Sequence, residues 1–303
     1  MKSFYALFGV DHFRCVAFLI PAIGKPCVLC ALVSSLALHM HGTVLAHGDL
    51  HGRIETLTRY IAAEPNNGAL YMQRGELHRH HQDFEAALAD YAKAEQLDTN
   101  LLTIDMNRGK ALWAAGRHQA AKQALERFIK RFPDHAEALL TRARVLVALN
   151  DLDGAVSDFN RALKTHPDPT PDLYLERAQA MKKPDNQNVD EILRGLDEGL
   201  KRLGPAVTLQ LIAIDFELQA RRYDAALERV HKLTEQMPRK DLWLARRAEI
   251  LVQAGRPKEA AKAYKEALAA LEKLPESRRY AKATMDFERQ LRTELERLST
   301  KDH

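Results

Sequence analysis

The stretch DFEAALADYAKAEQLD, residues Asp83–Asp98, contains the pattern that decides the fold. A charged residue precedes two small apolar residues, an aromatic residue follows three or four positions after the second of them, and an alanine comes three residues after the aromatic. The same order of residue types returns in DLDGAVSDFNRALKTHP, residues Asp151–Pro167, and in RPKEAAKAYKEAL, residues Arg256–Leu268. The first two stretches begin 68 residues apart, which is twice 34. A pattern that returns at such an interval indicates a repeat architecture.

The 34-residue interval also holds for single positions. Small residues recur at this interval in two series and large residues in a third: Gly75, Gly109 and Ala143; Ala87, Ala121 and Ala155; Tyr91, Leu125 and Phe159. Pro133 and Pro167 are one interval apart, and proline stops a helix because it has no amide donor. Two antiparallel helices approach closely only where small side chains face the partner helix. The series therefore predict pairs of packed helices.

Composition favours an all-helical chain and argues against two classes of function. The 303 residues are 46% hydrophobic and only 7% aromatic, and residues with high helix propensity dominate. The formal net charge is +4, with positive and negative residues interleaved, whereas nucleic-acid binding requires a basic stripe. Common motifs of hydrolases, nucleotide-binding proteins and zinc peptidases are absent from the sequence. We therefore expect no catalytic residues, no cofactor and no nucleic-acid partner.

The repeated pattern resembles the tetratricopeptide repeat family, whose unit is a 34-residue helix–turn–helix. The resemblance implies an all-α fold, a right-handed superhelical α-solenoid of helix–turn–helix repeats with a concave inner face. Six repeats are predicted, at residues 68–101, 102–135, 136–169, 171–206, 207–240 and 241–274.

Capping segments are predicted at both ends of the repeats. Residues 47–67 match a second helix alone and are expected to form an N-terminal capping half-repeat. Residues 275–303 are expected to form a C-terminal capping helix and tail, with the helix from about Ser277 to Leu298. An inward apolar stripe is predicted on that helix: Tyr280, Thr284, Phe287, Leu291 and Leu298.

The first 46 residues are predicted to be a signal peptide. The densest apolar run, Val28–Leu38, is too short to span a bilayer as a helix, and Val44–Ala46 suits a cleavage site. The three cysteines of the sequence lie in this segment, at Cys15, Cys27 and Cys30. We therefore expect a periplasmic or secreted protein without cysteine and without a membrane partner after cleavage. The alternative is an uncleaved N-terminal anchor in the inner membrane.

The resemblance places a peptide-binding groove on the first helices of the repeats. Methionine and leucine there can accept apolar side chains of an extended peptide, and flanking cations can accept its acidic groups. The predicted groove residues of the first three repeats are Met72, Glu76, Arg79, Met106, Asn107, Lys110, Leu140 and Arg144. The alternative is that these are ordinary solvated or half-buried helix residues.

An arginine recurs at the seventh position of five repeats. The stem of a long cationic side chain can cover a helix interface while its charged head reaches solvent. A structural role is therefore expected for these residues, which are Arg74, Arg108, Arg142, Arg177 and Arg247.

Histidines near the predicted cleavage site suggest a second function. Cleavage after Ala46 would leave a chain that begins HGDLH, and its free amine with His47 and His51 would suit copper or zinc. The alternative is a frayed terminus with no ligand. The sequence thus favours a non-enzymatic envelope scaffold or adaptor that binds a protein or peptide partner in its groove. A metal-handling accessory protein and a membrane-anchored assembly factor are the alternatives.

Overall fold

The computed structural model describes residues 41–182 and 188–300, with side chains described from residue 50 onward. Within these ranges the chain forms fifteen helices and no strand, which confirms the predicted all-α fold. The described residues divide into two compact units, 41–236 and 237–300. The predicted signal peptide lies outside the described residues except for 41–46, which form the start of the first helix.

Consecutive helices of the first unit pack against one another along the whole series, which is the nearest-neighbour arrangement of a repeat array. The described helices of this unit are α1 (His41–Ala63), α2 (Gly68–His80), α3 (Phe84–Leu97), α4 (Ile104–Ala114), α5 (His118–Arg131), α6 (Ala136–Ala148), α7 (Leu152–Thr165), α8 (Pro171–Met181), α9 (Val189–Leu203), α10 (Val207–Gln219) and α11 (Tyr223–Gln236). Those of the second unit are α12 (Lys240–Gln253), α13 (Pro257–Glu272), α14 (Glu276–Arg279) and α15 (Lys282–Ser299).

Small residues lie where paired helices meet, as their spacing predicts. A Cβ atom added to Gly75 would lie 2.7 Å from Tyr91 Cε1, and one added to Gly109 would lie 2.6 Å from Leu125 Cγ. Real Cβ atoms essentially never make contacts this short, so glycine is required at both positions for the observed helix separation. The alanines of the second series are fully buried on the partner helices: Ala87, Ala121 and Ala155.

The turn inside each of the first three repeats contains one residue in the left-handed region. Gln82, Gly116 and Asn150 are one interval apart and have φ of 66°, 74° and 61°. The amide of the next residue donates to the carbonyl five residues earlier, as from Asp83 to His78 at 2.9 Å. This geometry is a Schellman helix end, which satisfies carbonyls that a helix terminus leaves without a partner.

The second unit combines one helix pair with a terminal helix, since α12 packs on α13 and α15 packs on α13 as well. Four residues of the predicted inward stripe are buried: Thr284, Phe287, Leu291 and Leu298. The fifth assignment was wrong, because Tyr280 is 64% exposed. The single continuous helix was also wrong: Ala281 is extended, with ψ of 136°, and separates α14 from α15. The helical periodicity therefore does not reach back to Tyr280.

Candidate functional site

The apolar residues predicted to line the groove of the first three repeats differ in exposure. Met106 is 8% exposed and Leu140 is 5% exposed, and both belong to the hydrophobic core of the first unit. Met72 is half-buried on α2. Of the three, only Met72 therefore retains a sizeable surface for a ligand.

Arg79, predicted as a groove cation, has a partner on its own helix. It donates two hydrogen bonds to the Glu76 carboxylate, at 3.1 Å from Nε and 2.5 Å from the other nitrogen. The Tyr91 hydroxyl donates to the same carboxylate at 3.0 Å. Burial acts to raise the pKa of Glu76, but the hydrogen bonds and charge of Arg79, with the Tyr91 hydroxyl, hold it below its ordinary value. Glu76 therefore stays ionised and neutralises Arg79.

The other two predicted groove cations are paired with the next repeat. Lys110 Nζ lies 2.5 Å from Glu137 Oε1. Arg144 donates to both oxygens of Glu176 at 2.7 and 2.9 Å, and these hydrogen bonds raise the pKa of the guanidinium. Asn107 is half-buried beside them. The role of these residues in peptide binding stays a prediction, and each cation already has an internal carboxylate partner.

The recurring arginines link the two helices of a repeat in four of the five cases. Arg74 donates to both oxygens of Asp90 at 2.7 and 2.8 Å, and Arg142 donates to both oxygens of Asp158 at 2.6 and 2.7 Å. Each of these aspartates is sixteen residues after its arginine. The third link joins Arg177 to Glu198 at 3.1 Å, and the fourth joins Arg247 to Glu266 at 3.4 Å. These contacts confirm a structural role for the seventh-position arginines of these repeats.

A cleft in the second unit brings together residues of α12, α13 and α15. Its volume is about 640 Å³. Buried aromatic and aliphatic side chains contribute its apolar part, namely Tyr264, Phe287 and Leu291, and Val252 is half-buried beside them. Its polar lining residues are Arg246, Glu249, Gln253, Arg289, Gln290, Thr293, Glu294 and Arg297. We refer to this set as the C-terminal cleft.

Most charges of the C-terminal cleft are arranged in pairs. Arg246 lies 2.9 Å from Glu249, and Arg297 lies 3.4 Å from Glu294. Gln253, Gln290 and Thr293 are exposed at the rim. Burial raises the pKa of Tyr264, so its phenol stays protonated. The cleft therefore offers an apolar floor with neutral hydrogen-bonding groups above it.

The sequence does not predict the C-terminal cleft, because the pattern of the final helix is that of a cap. Glu249 and Val252 do occupy the family's groove positions of the sixth repeat, and that signal was available in the sequence. The repeat pattern does not predict that α15 packs next to the last helix pair and forms the second wall of the cleft.

The described part of the chain contains the side chain of only one of the two predicted metal ligands, and the metal site stays a prediction. The side chain of His47 lies outside the described residues, and His51 Nε2 lies 3.2 Å from Glu55 Oε1. Among the described residues, no group of three histidine, cysteine, aspartate or glutamate side chains could hold a metal ion. Nor does any described helix combine the length and apolar character needed to cross a bilayer.

The fold and the paired helices define an all-helical repeat protein. A family model described as tetratricopeptide repeat matches residues 45–100, 106–170 and 215–275, which is more than half of the chain. The chain therefore belongs to the tetratricopeptide repeat family, as the 34-residue pattern predicted. The helix–turn–helix repeats of this family form a scaffold typical of protein–protein interaction.

Solved structures with the same fold are similar to this chain at low sequence identity. A tetratricopeptide repeat protein from Parabacteroides merdae is 22% identical, with a TM-score of 0.48 over 80% of this chain and 95% of its own. Pseudomonas aeruginosa pilF is 17% identical, with a TM-score of 0.49 over 68% and 93%. YrrB, described as having an unusual peptide-binding site, is 17% identical, with a TM-score of 0.39 over 73% and 94%. Among curated proteins, none matches.

Proposed function

We propose that this protein is a non-enzymatic scaffold of the cell envelope that binds an extended peptide segment of a partner protein. The observation that carries the proposal is the C-terminal cleft, where an apolar floor lies beneath exposed amide and hydroxyl groups. Ligand sites typically combine mostly apolar walls with a few polar groups that fix orientation. Family membership supports the binding role, since helical repeats provide extended binding surfaces.

The chemistry of the C-terminal cleft suits a peptide better than a charged small molecule. Gln253 and Gln290 each offer two amide donors and a carbonyl acceptor, which match the groups of a peptide backbone. Arg246 and Arg297 already have carboxylate neighbours, so a small anion would have to compete with Glu249 and Glu294. Apolar ligand side chains would contact Phe287 and Leu291 on the floor.

Filling the C-terminal cleft should abolish peptide binding. In the double variant Gln290→Trp/Thr293→Trp, two exposed residues become large aromatic ones, so the cleft is blocked without disturbing the core. Peptides are first selected from a displayed random library on the wild-type protein. Their affinity for the variant, measured by fluorescence polarisation, should be at least about tenfold weaker.

The matched control is Arg292→Trp, which introduces the same aromatic residue at an exposed position of α15 outside the cleft lining. The selected peptides should bind this control with wild-type affinity. Equal binding to the wild type and to the cleft-filled variant would place the peptide site elsewhere and contradict the assignment of the C-terminal cleft.

The envelope location is tested separately by the N-terminus of the protein isolated from cells. Because Val44–Ala46 suits a cleavage site, mass spectrometry of the envelope fraction should find a chain that begins at His47. A chain that retains residues 1–46 in the membrane fraction would favour the anchored alternative. Recovery of the uncleaved chain from the cytosolic fraction would contradict both locations.

A further inference from the structure

Four basic residues around the α14 turn lack the carboxylate partners that most arginines of this protein have. Arg278 and Arg279 end α14, Lys282 begins α15, and Lys273 follows α13. Within the described residues, none of the four side chains lies within 4 Å of a carboxylate oxygen. Lys273, Arg278 and Lys282 are exposed, and Arg279 is half-exposed. Their charges are therefore available to an external anion.

Two large apolar side chains protrude among these charges. Tyr280 is 64% exposed and Met285 is 46% exposed, whereas the neighbouring Phe287 is 7% exposed. The Arg279 guanidinium lies 5.8 Å from the centre of the Tyr280 ring, which is cation–π distance and keeps the charge next to the ring. The six residues Lys273, Arg278, Arg279, Tyr280, Lys282 and Met285 are called the basic patch below.

Acidic residues nearby leave the basic patch with a net positive charge. Asp286 lies 3.2 Å from Arg289, and Glu272 interacts electrostatically with Arg292. Glu272 and Glu276 form no ion pair within the described residues, so two carboxylates of this segment stand against the four cations. This excess of positive charge is not apparent in the sequence, where acidic and basic residues are interleaved. It becomes apparent in the described part of the structure because other acidic residues form ion pairs there while these four cations do not.

We propose that the basic patch binds the surface of a bilayer that contains anionic lipid. Cationic side chains attract anionic headgroups, and tyrosine is favoured at the boundary between headgroups and acyl chains. Tyr280 and Met285 would enter that boundary while the four cations contact phosphate groups. This association is peripheral, independent of the peptide-binding role, and differs from the sequence-based expectation of no membrane partner.

The shape of the basic patch favours a bilayer over an acidic protein segment. Its two apolar side chains project into solvent, so a protein partner would need a preformed cavity to receive them. A bilayer interface instead admits protruding side chains anywhere along its plane.

Vesicle binding tests the proposal. The full chain is sedimented with vesicles of phosphatidylcholine alone and with vesicles that also contain phosphatidylglycerol. Binding should require phosphatidylglycerol and weaken as salt rises. The double variant Arg278→Glu/Arg279→Glu should weaken vesicle binding by about tenfold or more, because each basic residue near the bilayer surface contributes a similar electrostatic attraction. Tyr280→Ala/Met285→Ser should weaken it at equal net charge, through loss of the apolar insertion.

The matched control is Lys258→Glu/Lys262→Glu, which makes the same change in net charge at two exposed lysines of α13. It should bind vesicles nearly as the wild type does. All variants carry the same N-terminal region, so any contribution from residues 1–46 is common to them. Binding that is indifferent to phosphatidylglycerol, or equally weakened by the control and the arginine variant, would overturn the proposal. Binding of polyglutamate without vesicle binding would also overturn it, in favour of an acidic protein.

Discussion

Replacing Asp158 by alanine should lower the free energy of unfolding by about 3–5 kcal/mol, because it leaves the Arg142 guanidinium largely buried without its counter-ion. Asp158 is 2% exposed and receives both hydrogen bonds from Arg142 across the α6–α7 pair. Those hydrogen bonds also raise the pKa of Arg142, so the guanidinium stays charged. Denaturation by urea, followed by circular dichroism, measures the change.

A control and a rescue separate the ion pair from other effects of the substitution. Asp153→Ala removes an exposed carboxylate from the first turn of the same helix and should cost no more than about 1 kcal/mol. Arg142→Met/Asp158→Leu removes both charges and should recover most of the lost stability, since apolar replacement of a buried pair is often neutral. A double variant as unstable as Asp158→Ala would mean that packing, rather than the unpaired charge, causes the loss.

Replacing Gly109 by leucine should also destabilise the protein, by about 1–3 kcal/mol through overpacking. The first carbon of the new side chain would already overlap Leu125, 2.6 Å away, so α4 and α5 would have to separate. Thermal unfolding measures the loss. The double variant Gly109→Leu/Leu125→Ala shortens the side chain that the new leucine overlaps and should restore part of the lost stability.

Gly52 provides a control of opposite sign for the glycine prediction. It lies within α1, and an added Cβ would meet nothing within 4 Å. Gly52→Ala should therefore raise stability, by up to about 1 kcal/mol, because alanine has the higher helix propensity. If Gly52→Ala and Gly109→Leu changed stability in the same direction, close packing at Gly109 would not explain its glycine.

The helix pairs could be predicted from the sequence because their spacing follows directly from packing. Gly109 on α4 faces Leu125 on the adjacent helix α5, and only a small residue fits at position 109. The sequence therefore records this contact. The structural role of Arg142 could be predicted for a similar reason. Its partner could not be predicted by a general rule, because the residue sixteen positions after Arg108 is Ala124 and Arg108 pairs with Glu95 instead.

The candidate sites were harder to predict because ion pairing depends on which helix faces lie side by side. Lys110 and Arg144 resemble free groove cations in the sequence, and only the structure brings Glu137 and Glu176 to them from the next repeat. Tyr280 has the spacing of a helical stripe with the apolar residues of α15. The extended residue Ala281 separates it from that helix, however, and the Tyr280 side chain is exposed to solvent. Local breaks of this kind are not encoded by periodicity.

The carboxylates held by the predicted groove cations have one further consequence for selectivity. An acidic segment that approached Arg79, Lys110 or Arg144 would have to exchange places with Glu76, Glu137 or Glu176, so the number of charge pairs would stay the same. Such an exchange yields little net electrostatic gain. Recognition along the first three repeats would then depend on the shape and hydrophobicity of the ligand rather than on its charge.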